Sequence, residues 1–235
     1  MYSDRGAQQT HGREPSIEQL ARNALVELWH WQKKEHGDSA STETFFPVDA
    51  ELYVREVLGW TVEGVSSIAV GGACRPDVHG RCNHLEQKIY IKTDGVTDGR
   101  RRFTVAHEIA HALLHPGDTP HDRRWQHRSS HTGSTTVRPK AEVDADVFAA
   151  EMLMPRRAIR EEFKKRFAVE HLQARSTALH ELLRLGPFDR PSLKAVAERL
   201  AIYRTEQGAK SLTEYFGVSK EAMANRLSEL KLVIY

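Results

Sequence analysis

Apolar positions recur at helical spacing in the first part of the chain. From Ser16 to about His36 they lie three or four residues apart, and the Ser16 hydroxyl can cap such a helix. A second, shorter helix is expected to open at Pro47 and run through Leu58, because proline suits a first helical position. Gly59 is expected to end it.

Two segments have the composition and periodicity typical of strands, "SSIAV" (66–70) and "KIYIK" (88–92). A helix is predicted over 101–115, and another from 141 onward after which the chain stays mostly helical. The polar stretch 116–140 lacks any periodicity, so we predict either a disordered excursion or a loop over a site. The fold class predicted is α+β, with a small sheet packed by helices.

The same pattern suggests three segments. We expect a disordered N-terminal segment at 1–15, a domain at 16–155 and a helical C-terminal region at 156–235. The polar start has no apolar signal region, and no later run reaches the roughly 18 apolar residues of a membrane span. We therefore expect a cytoplasmic protein with no membrane partner.

Composition and charge add a mild asymmetry. The 235 residues are 40% hydrophobic, enough for a full core without disulfides, and the net charge is +2. Residues 156–235 contain 16 Lys and Arg against 10 Asp and Glu. The basic excess therefore lies at the C-terminal end, which hints at an acidic partner there.

The stretch "RRFTVAHEIAHALLH" (101–115) carries the most informative chemistry. His107 and His111 are four residues apart, so on a helix both imidazoles can converge on one zinc ion. Glu108 projects at the edge of that face, where a carboxylate can act as general base without ligating the metal. An H-E-x-x-H pattern also arises by chance, so core histidines or a solvated helix face remain alternatives until a third ligand is found.

A third ligand is expected from "EVDADVFAAEMLMP" (142–155). At 100° per residue, Glu142 and Asp146 share the face with small and apolar residues, whereas Asp144 and Glu151 point to the other side and are expected in water. Glu142 would complete a His₂Glu, gluzincin-like site with an open fourth position, and Asp146 would accept the free N–H of a ligating histidine. A carboxylate pair that caps the helix start is the alternative, and it explains Asp146 poorly.

These motifs resemble the ImmA/IrrE family of metallopeptidases. The resemblance rests on "RFTVAHEIAHALLH" and "EVDADVFAAEMLMP", with further likeness in "FPVDAELYVREVLGW" and in "YFGVSKEAMANRLSELKL". It implies a zincin-like fold and a cytoplasmic zinc endopeptidase that cleaves a helix-turn-helix repressor of a mobile element or stress regulon. It also implies one zinc per chain, held by His107, His111 and Glu142 with Glu108 catalytic, although another divalent metal in the cell stays an alternative.

Other parts of the predicted site are less determined. An oxyanion donor is needed, and His115, His131, Tyr203 or an arginine of the polar loop could supply it. The strand "KIYIK" could pair with an extended substrate if it lies at a sheet edge; otherwise it is ordinary sheet core. Cys74, Cys82, His79 and His84 could hold a second zinc, or a cysteine could cap the first, but Cys-x₇-Cys fits two ordinary thiols better.

Residues 211–232 have the form of a helix-turn-helix. Gly217 separates two apolar periodic segments and Ser219 can cap the second. Four polar residues of that second helix would contact DNA or a partner if it entered a groove: Lys220, Asn225, Arg226 and Lys231. The apolar positions favour packing onto the core instead. The alternative function is therefore a DNA-binding or partner-binding transcriptional regulator in which the peptidase fold is mainly structural.

Overall fold

The first helix forms as the sequence predicts. A computed structural model describes residues 15–37, 45–70, 73–74, 78–116, 139–186, 189, 191–205 and 208–235. Helix α1 (Ile17–His36) begins where the Ser16 side chain accepts the N–H of Gln19, and it ends at Gly37, whose φ is 58°. A serine cap at one end and a left-handed glycine at the other confirm both predicted boundaries.

The second helix begins later than predicted. Helix α2 (Ala50–Leu52) starts after Asp49, whose carboxylate accepts the N–H of Leu52 at 2.9 Å, and the chain continues as a π-helical turn, Tyr53–Val57. The predicted start at Pro47 is wrong. The helix begins after Asp49 because the Asp49 carboxylate can accept a free N–H of the first turn, whereas the proline side chain has no acceptor. Gly59, with φ 69°, ends the element as expected.

A three-stranded sheet lies beside these helices. Its strands are β1 (Thr61–Val65), β4 (Gly80–Asn83) and β5 (Lys88–Lys92) in the order β1-β5-β4, with β1 parallel and β4 antiparallel to β5. The strand predicted at 88–92 is confirmed, and it lies in the centre of the sheet, which agrees with the sheet-core alternative and not with the edge-strand alternative.

The strand predicted at 66–70 is mostly misplaced. Only its last two residues are extended, as β2 (Ala69–Val70), which pairs with β3 (Ala73–Cys74), while the longer strand is β1. The alternation in "TVEGV" (61–65) includes a glycine and a glutamate, which weakens a strand pattern in sequence. Pairing with β5 overrides that weak preference.

Two long helices form the centre of the molecule. Helix α3 (Asp98–Leu114) packs against α4 (Lys140–Leu153), and α4 also packs against α1. The two helices run antiparallel, because His107 of α3 contacts Asp146 and Glu142 while the later His111 contacts Glu142. Both predicted helices are confirmed.

The C-terminal region is mostly helical, as predicted. It contains α5 (Arg156–Phe167), β6 (Leu172–Gln173), α6 (Thr177–Leu182), α7 (Leu193–Ala201), α8 (Leu212–Phe216), α9 (Lys220–Glu229) and β7 (Val233–Ile234). Strands β6 and β7 pair in parallel, which the sequence did not reveal. The buried apolar side chains form a cluster that reaches from Ala21 in α1 to Val233 in β7. The chain thus has the predicted α+β architecture, and the division at residue 155 stays a prediction.

Two predicted segments cannot be compared with the fold. Residues 1–14 and 117–138, which hold most of the N-terminal segment and of the polar loop, lie outside the described residues. In the ranges that are described, no helix has both the length and the apolar character needed to cross a bilayer.

Candidate metal centre

Three potential metal ligands converge between α3 and α4. His107, His111 and Glu142 each offer one donor atom, and these atoms lie within 4.8 Å of one another. The two Nε2 atoms are 3.1 Å apart, Glu142 Oε2 is 3.2 Å from Nε2 of His107, and Oε1 is 3.4 Å from Nε2 of His111. The four-residue spacing on α3 and the antiparallel approach of α4 together produce this convergence.

Asp146 lies one helical turn after Glu142 and orients the first histidine. Its Oδ1 accepts the Nδ1–H of His107 at 2.9 Å. With Nδ1 engaged in this way, Nε2 is the ring atom directed at the point shared with His111 and Glu142. Sequence reasoning placed Asp146 in this role, and the geometry agrees with it.

The spacing of the donor atoms fits a zinc ion. A tetrahedral zinc with bonds of about 2.1 Å has ligand atoms about 3.4 Å from one another, close to the separations of 3.1 to 3.4 Å found here. Two imidazole nitrogens and one carboxylate oxygen are also a donor set that zinc accepts. The residues therefore fit a metal, although the donor set by itself does not select one ion.

The electrostatics of the cluster favour a positive charge. Burial opposes protonation of His107, but the hydrogen bonds to Asp146 and Glu142 and the charge of Glu108 outweigh it and raise its pKa to about 10. Burial acts against ionisation of Glu142 too, yet the bonds to His107 and His111 hold the pKa of this carboxyl well below its usual range. Three carboxylates around two imidazoles thus create a site that attracts a cation.

Glu108 is next to the first candidate ligand on α3. Its side chain is buried beside the ligand cluster, where its charge acts on His107. On the other side it lies against Gly80 of β4, so closely that a Cβ on Gly80 would come within 2.7 Å of Glu108 Oε1 and 2.5 Å of Thr104 Cγ2. Only glycine permits this approach, and it brings the strand next to the carboxylate. Sequence reasoning missed Gly80, although an isolated glycine in a strand signals such an approach.

The predicted oxyanion donors lie in different places. The ring of His115 is 5.4 Å from the ring of His111, so it remains near the cluster. Tyr203 packs on Phe167 of α5, with ring centroids 5.7 Å apart, and its described contact is thus with the C-terminal helices. His131 lies outside the described residues.

The prediction that Glu151 sits in water is wrong. Glu151 is 3% exposed and pairs with Arg226 of α9. The face opposite the metal cluster is covered as well, because α9 packs near the end of α4, and a buried carboxylate needs a charged partner there. Asp144 is also largely covered, with 16% of its side chain exposed, and it lies 3.6 Å from Lys140.

The predicted helix-turn-helix shape is confirmed, with a change in its surface. Helices α8 and α9 flank Gly217, whose φ is 63°, and Ser219 caps α9. The prediction that Arg226 contacts nucleic acid is wrong, because its side chain is 3% exposed and donates to the carbonyl oxygen of Met154. Three of the predicted contact residues are exposed, as a contact role requires: Lys220, Asn225 and Lys231. Lys220 also pairs with Glu198.

The second zinc site gains no support. Among the described residues, the one group of three or more donors close enough to share a metal ion is His107, His111 and Glu142, which includes neither His79 nor His84. Cys82 is buried on β4, where it pairs with Ile89 of β5. The side chain of Cys74 lies outside what the structure describes.

Comparison with known protein families decides the relationship. The peptidase M78 model, described as the IrrE N-terminal-like domain, matches residues 75–228, about two thirds of the chain. The chain belongs to this family. Membership in the IrrE-like M78 peptidases confirms the resemblance seen in the motifs and supports a metallopeptidase-like function. The match runs past the metal cluster and includes helix α8 and all but the last residue of α9.

Other comparisons add little. A search of curated proteins found no match. Among solved structures, a Mycobacterium tuberculosis transcriptional regulator shares 14% identity with this M78 peptidase chain, at a TM-score of 0.37. The alignment covers 83% of this chain and 55% of that structure, so the chain spans about half the length of the protein it matches.

Proposed function

We propose that the chain is a zinc-dependent endopeptidase that cleaves and inactivates a helix-turn-helix transcriptional repressor, and so derepresses a mobile element or stress regulon. The main support is the convergence of His107, His111 and Glu142, with Glu108 adjacent on the same helix. Membership in the M78 family supports peptidase chemistry in general. The repressor as substrate rests on the resemblance of the motifs to the ImmA/IrrE group.

Each residue of the site has a distinct task in this proposal. Zinc, when bound, supplies Lewis acidity, which makes water easier to deprotonate and polarises a peptide carbonyl. Glu108 takes the proton from the attacking water and passes it to the leaving amine. Asp146 holds the ring of His107 through the 2.9 Å bond to Nδ1. His115, near His111, is the nearest of the described candidates for an oxyanion donor.

The substrate segment is proposed to bind in extended form along β4. This strand is at the edge of the three-stranded sheet in the described part of the chain, whereas β5 is in the centre. An edge strand offers unpaired N–H and C=O groups to an added peptide. Since Gly80 of β4 touches Glu108, a peptide paired with β4 would pass close to the general base.

The deciding experiment uses purified protein loaded with zinc and the helix-turn-helix repressor encoded beside its gene. We expect a limited set of fragments, whose ends mass spectrometry identifies, and we expect a zinc chelator to stop their formation. An unrelated helix-turn-helix protein is the control for specificity. An intact repressor after incubation with fully zinc-loaded protein would contradict the proposal.

The alternative, a DNA-binding or partner-binding regulator, has weaker support. Burial of Arg226 removes one of the four contacts proposed for α9. Lys220 and Asn225 remain exposed on α9, which also presents Glu221 and Glu229, and Lys231 is exposed just beyond its end. A regulator of this kind has no need of the Glu108 carboxylate. If repressed genes respond to the protein without any cleavage, and Lys220→Ala with Lys231→Ala removes the response, the alternative is correct.

A further inference from the structure

The helix-turn-helix-like hairpin, defined here as α8, the turn 217–219 and α9, is fastened to the end of α4. Arg226 donates from Nε to the carbonyl oxygen of Met154 at 3.0 Å, and from Nη2 to Glu151. Its Nη1 donates to both carboxylate oxygens of Glu229, at 2.9 and 3.0 Å. One guanidinium group therefore binds the last turn of α4 and its C-terminal cap, while it also bonds within the hairpin.

The same hairpin is fastened to the beginning of α3. Arg102 donates from Nη1 to the carbonyl oxygen of Gly217 at 2.9 Å. At Gly99, a Cβ would come within 2.8 Å of the backbone of Val218 and Ser219, so α3 and the turn approach as closely as glycine allows. The turn thus lies directly on the first part of the helix that carries both histidines.

Both attachments occur at one end of the helix pair. Because α3 and α4 are antiparallel, the N-terminal end of α3 lies beside the C-terminal end of α4, and the hairpin bridges the two. The candidate ligands come from these same two helices, two from α3 and one from α4. The hairpin therefore contacts both of the helices that carry the candidate ligands.

A small movement at this end has a large effect on the ligands. Glu142 precedes Glu151 by nine residues, about 13.5 Å along a helix. A tilt of α4 by about 4° at Glu151 would displace Glu142 by about 1 Å, whereas metal bond lengths must be correct to about 0.2 Å. A buried ion pair often contributes little net stability compared with apolar side chains of similar size, so net stability alone does not account for the Arg226–Glu151 pair.

We infer that Arg226 is a positioning residue, which sets the angle of α4 to α3 and thereby the affinity and geometry of the metal centre. The inference rests on the proposed metal site, but it does not require peptidase activity. It gives the hairpin a function inside the peptidase domain, in place of contact with nucleic acid. It also predicts that metal binding responds to a residue that touches none of the proposed ligands.

The test replaces the buried pair with apolar side chains, in the double variant Arg226→Met with Glu151→Leu. This variant leaves no unpaired buried charge and is expected to fold. We expect its zinc affinity, measured by competition with a chromophoric chelator, to fall at least tenfold, and the visible absorption of its cobalt(II) form to change in position and intensity. Lys220→Gln is the matched control, because that cation of α9 pairs with Glu198 of α7 and not with α4.

The outcomes separate the inference from the proposal on which it rests. A folded double variant with the zinc affinity and cobalt spectrum of the parent protein would overturn the positioning role and leave the metal site intact. A parent protein whose zinc content does not depend on Glu142 would instead contradict the metal site itself. If the double variant does not fold, Arg226→Lys decides, since a lysine keeps the charge but not the fork of bonds. Unchanged zinc affinity in that variant would equally overturn the inference.

Discussion

At the scale of single residues, Glu108 stands apart from its neighbours on α3. It is buried like His111, yet its carboxylate lies against Gly80 of β4 and is not one of the three converging donor atoms. A carboxylate in that position can take part in proton transfer without contributing to metal affinity. Metal binding and turnover are therefore expected to respond differently to substitution of this residue.

We predict that Glu108→Gln separates the two properties. Glutamine keeps the shape and hydrogen bonding of the side chain but cannot accept the proton, so cleavage should fall by about two to four orders of magnitude. Zinc content, measured by atomic absorption, and recognition of the repressor should stay at the level of the parent protein. In cells the repressed genes should remain repressed. A variant that derepresses them as well as the parent protein does would exclude the peptidase mechanism.

The carboxylates of α4 give a second prediction. Glu142→Ala should lose most of the bound zinc, because Glu142 lies 3.2 and 3.4 Å from the two histidine nitrogens. Asp144→Ala is the matched control, because Asp144 pairs with Lys140 instead, and it should retain the metal. The measurement is the zinc content of each purified variant after dialysis. Equal zinc content in the two variants would refute the assignment of the third ligand.

The sequence was sufficient for residues whose role depends on spacing along one helix. His107 with His111, and Glu142 with Asp146, could be paired from helical periodicity alone, and the structure brings all four together. Glu151 could not be placed in this way. Periodicity shows which residues share a face, but not how many faces of a helix are covered, and α4 is covered on both. The partner of Glu151 comes from α9, distant in sequence, and no local pattern connects the two.

At the scale of elements, the contact between β4 and α3 determines where the sheet meets the site. Gly80 and Glu108 leave no space for a side chain between strand and helix. Strand β4 is a candidate for pairing with a substrate because it is an edge strand and lies close to α3, the helix that carries both histidines. The position of this one strand therefore affects both the general base and the proposed peptide path.

We predict that Gly80→Ala impairs turnover more than it impairs folding. The added methyl group must displace Thr104 or Glu108, at a cost of about 1 to 3 kcal/mol in the free energy of unfolding. Displacement of Glu108 should reduce peptide cleavage at least tenfold while zinc content is unchanged. Gly64→Ala is the control, since a methyl group on this residue of β1 would meet Thr93 Cγ2, one residue beyond β5, and not Glu108. Equal cleavage rates in the two variants would contradict the role of the β4 contact.

The cap of α8 gives a prediction about stability. Ser211 is buried, its side chain accepts the N–H of Glu214, and the Glu214 carboxylate accepts the N–H of Ser211 in return. Ser211→Ala should reduce the free energy of unfolding by about 1 kcal/mol, measured by urea denaturation. Ser228→Ala is the control, because Ser228 lies inside α9 and its hydroxyl donates to the carbonyl oxygen of Ala224 and does not cap the helix. We expect little change there, and an equal loss in both variants would contradict the capping account.

Helices whose own residues supply the capping signals were predicted well. Strands that depend on pairing with a distant strand were predicted poorly. Ser16 and Gly37 define α1 locally. The position of a strand within a sheet has no such local signal, because a sequence such as "KIYIK" (88–92) is compatible with an edge strand and with a central strand. Strand β1 forms through its pairing with β5, which begins 23 residues after β1 ends, and Glu63 and Gly64 weaken the strand pattern of β1 itself.

At the scale of the whole molecule, charge and packing lead to different expectations for the C-terminal region. Its excess of Lys and Arg suggested an acidic partner. The structure uses several of these cations within the protein: Arg226 binds Glu151, Arg166 pairs with Glu162, and Arg160 donates to the carbonyl oxygen of Leu230. The number of Lys and Arg residues in a sequence therefore overstates the number of cations that a partner could bind.

The origin of the ligand atoms on two helices has a consequence for the abundance of the protein. An ion held by α3 and α4 binds the folded chain and not the unfolded one, so mass action adds about 2.7 kcal/mol of stability when free metal is 100 times its dissociation constant. For a chain of this size we predict that removal of the metal lowers the melting temperature by roughly 5 to 10 °C. Glu142→Ala should show no such shift, and a parent protein indifferent to chelation would contradict this linkage. In a cell that degrades unfolded chains, the supply of metal would then set how much of the protein survives.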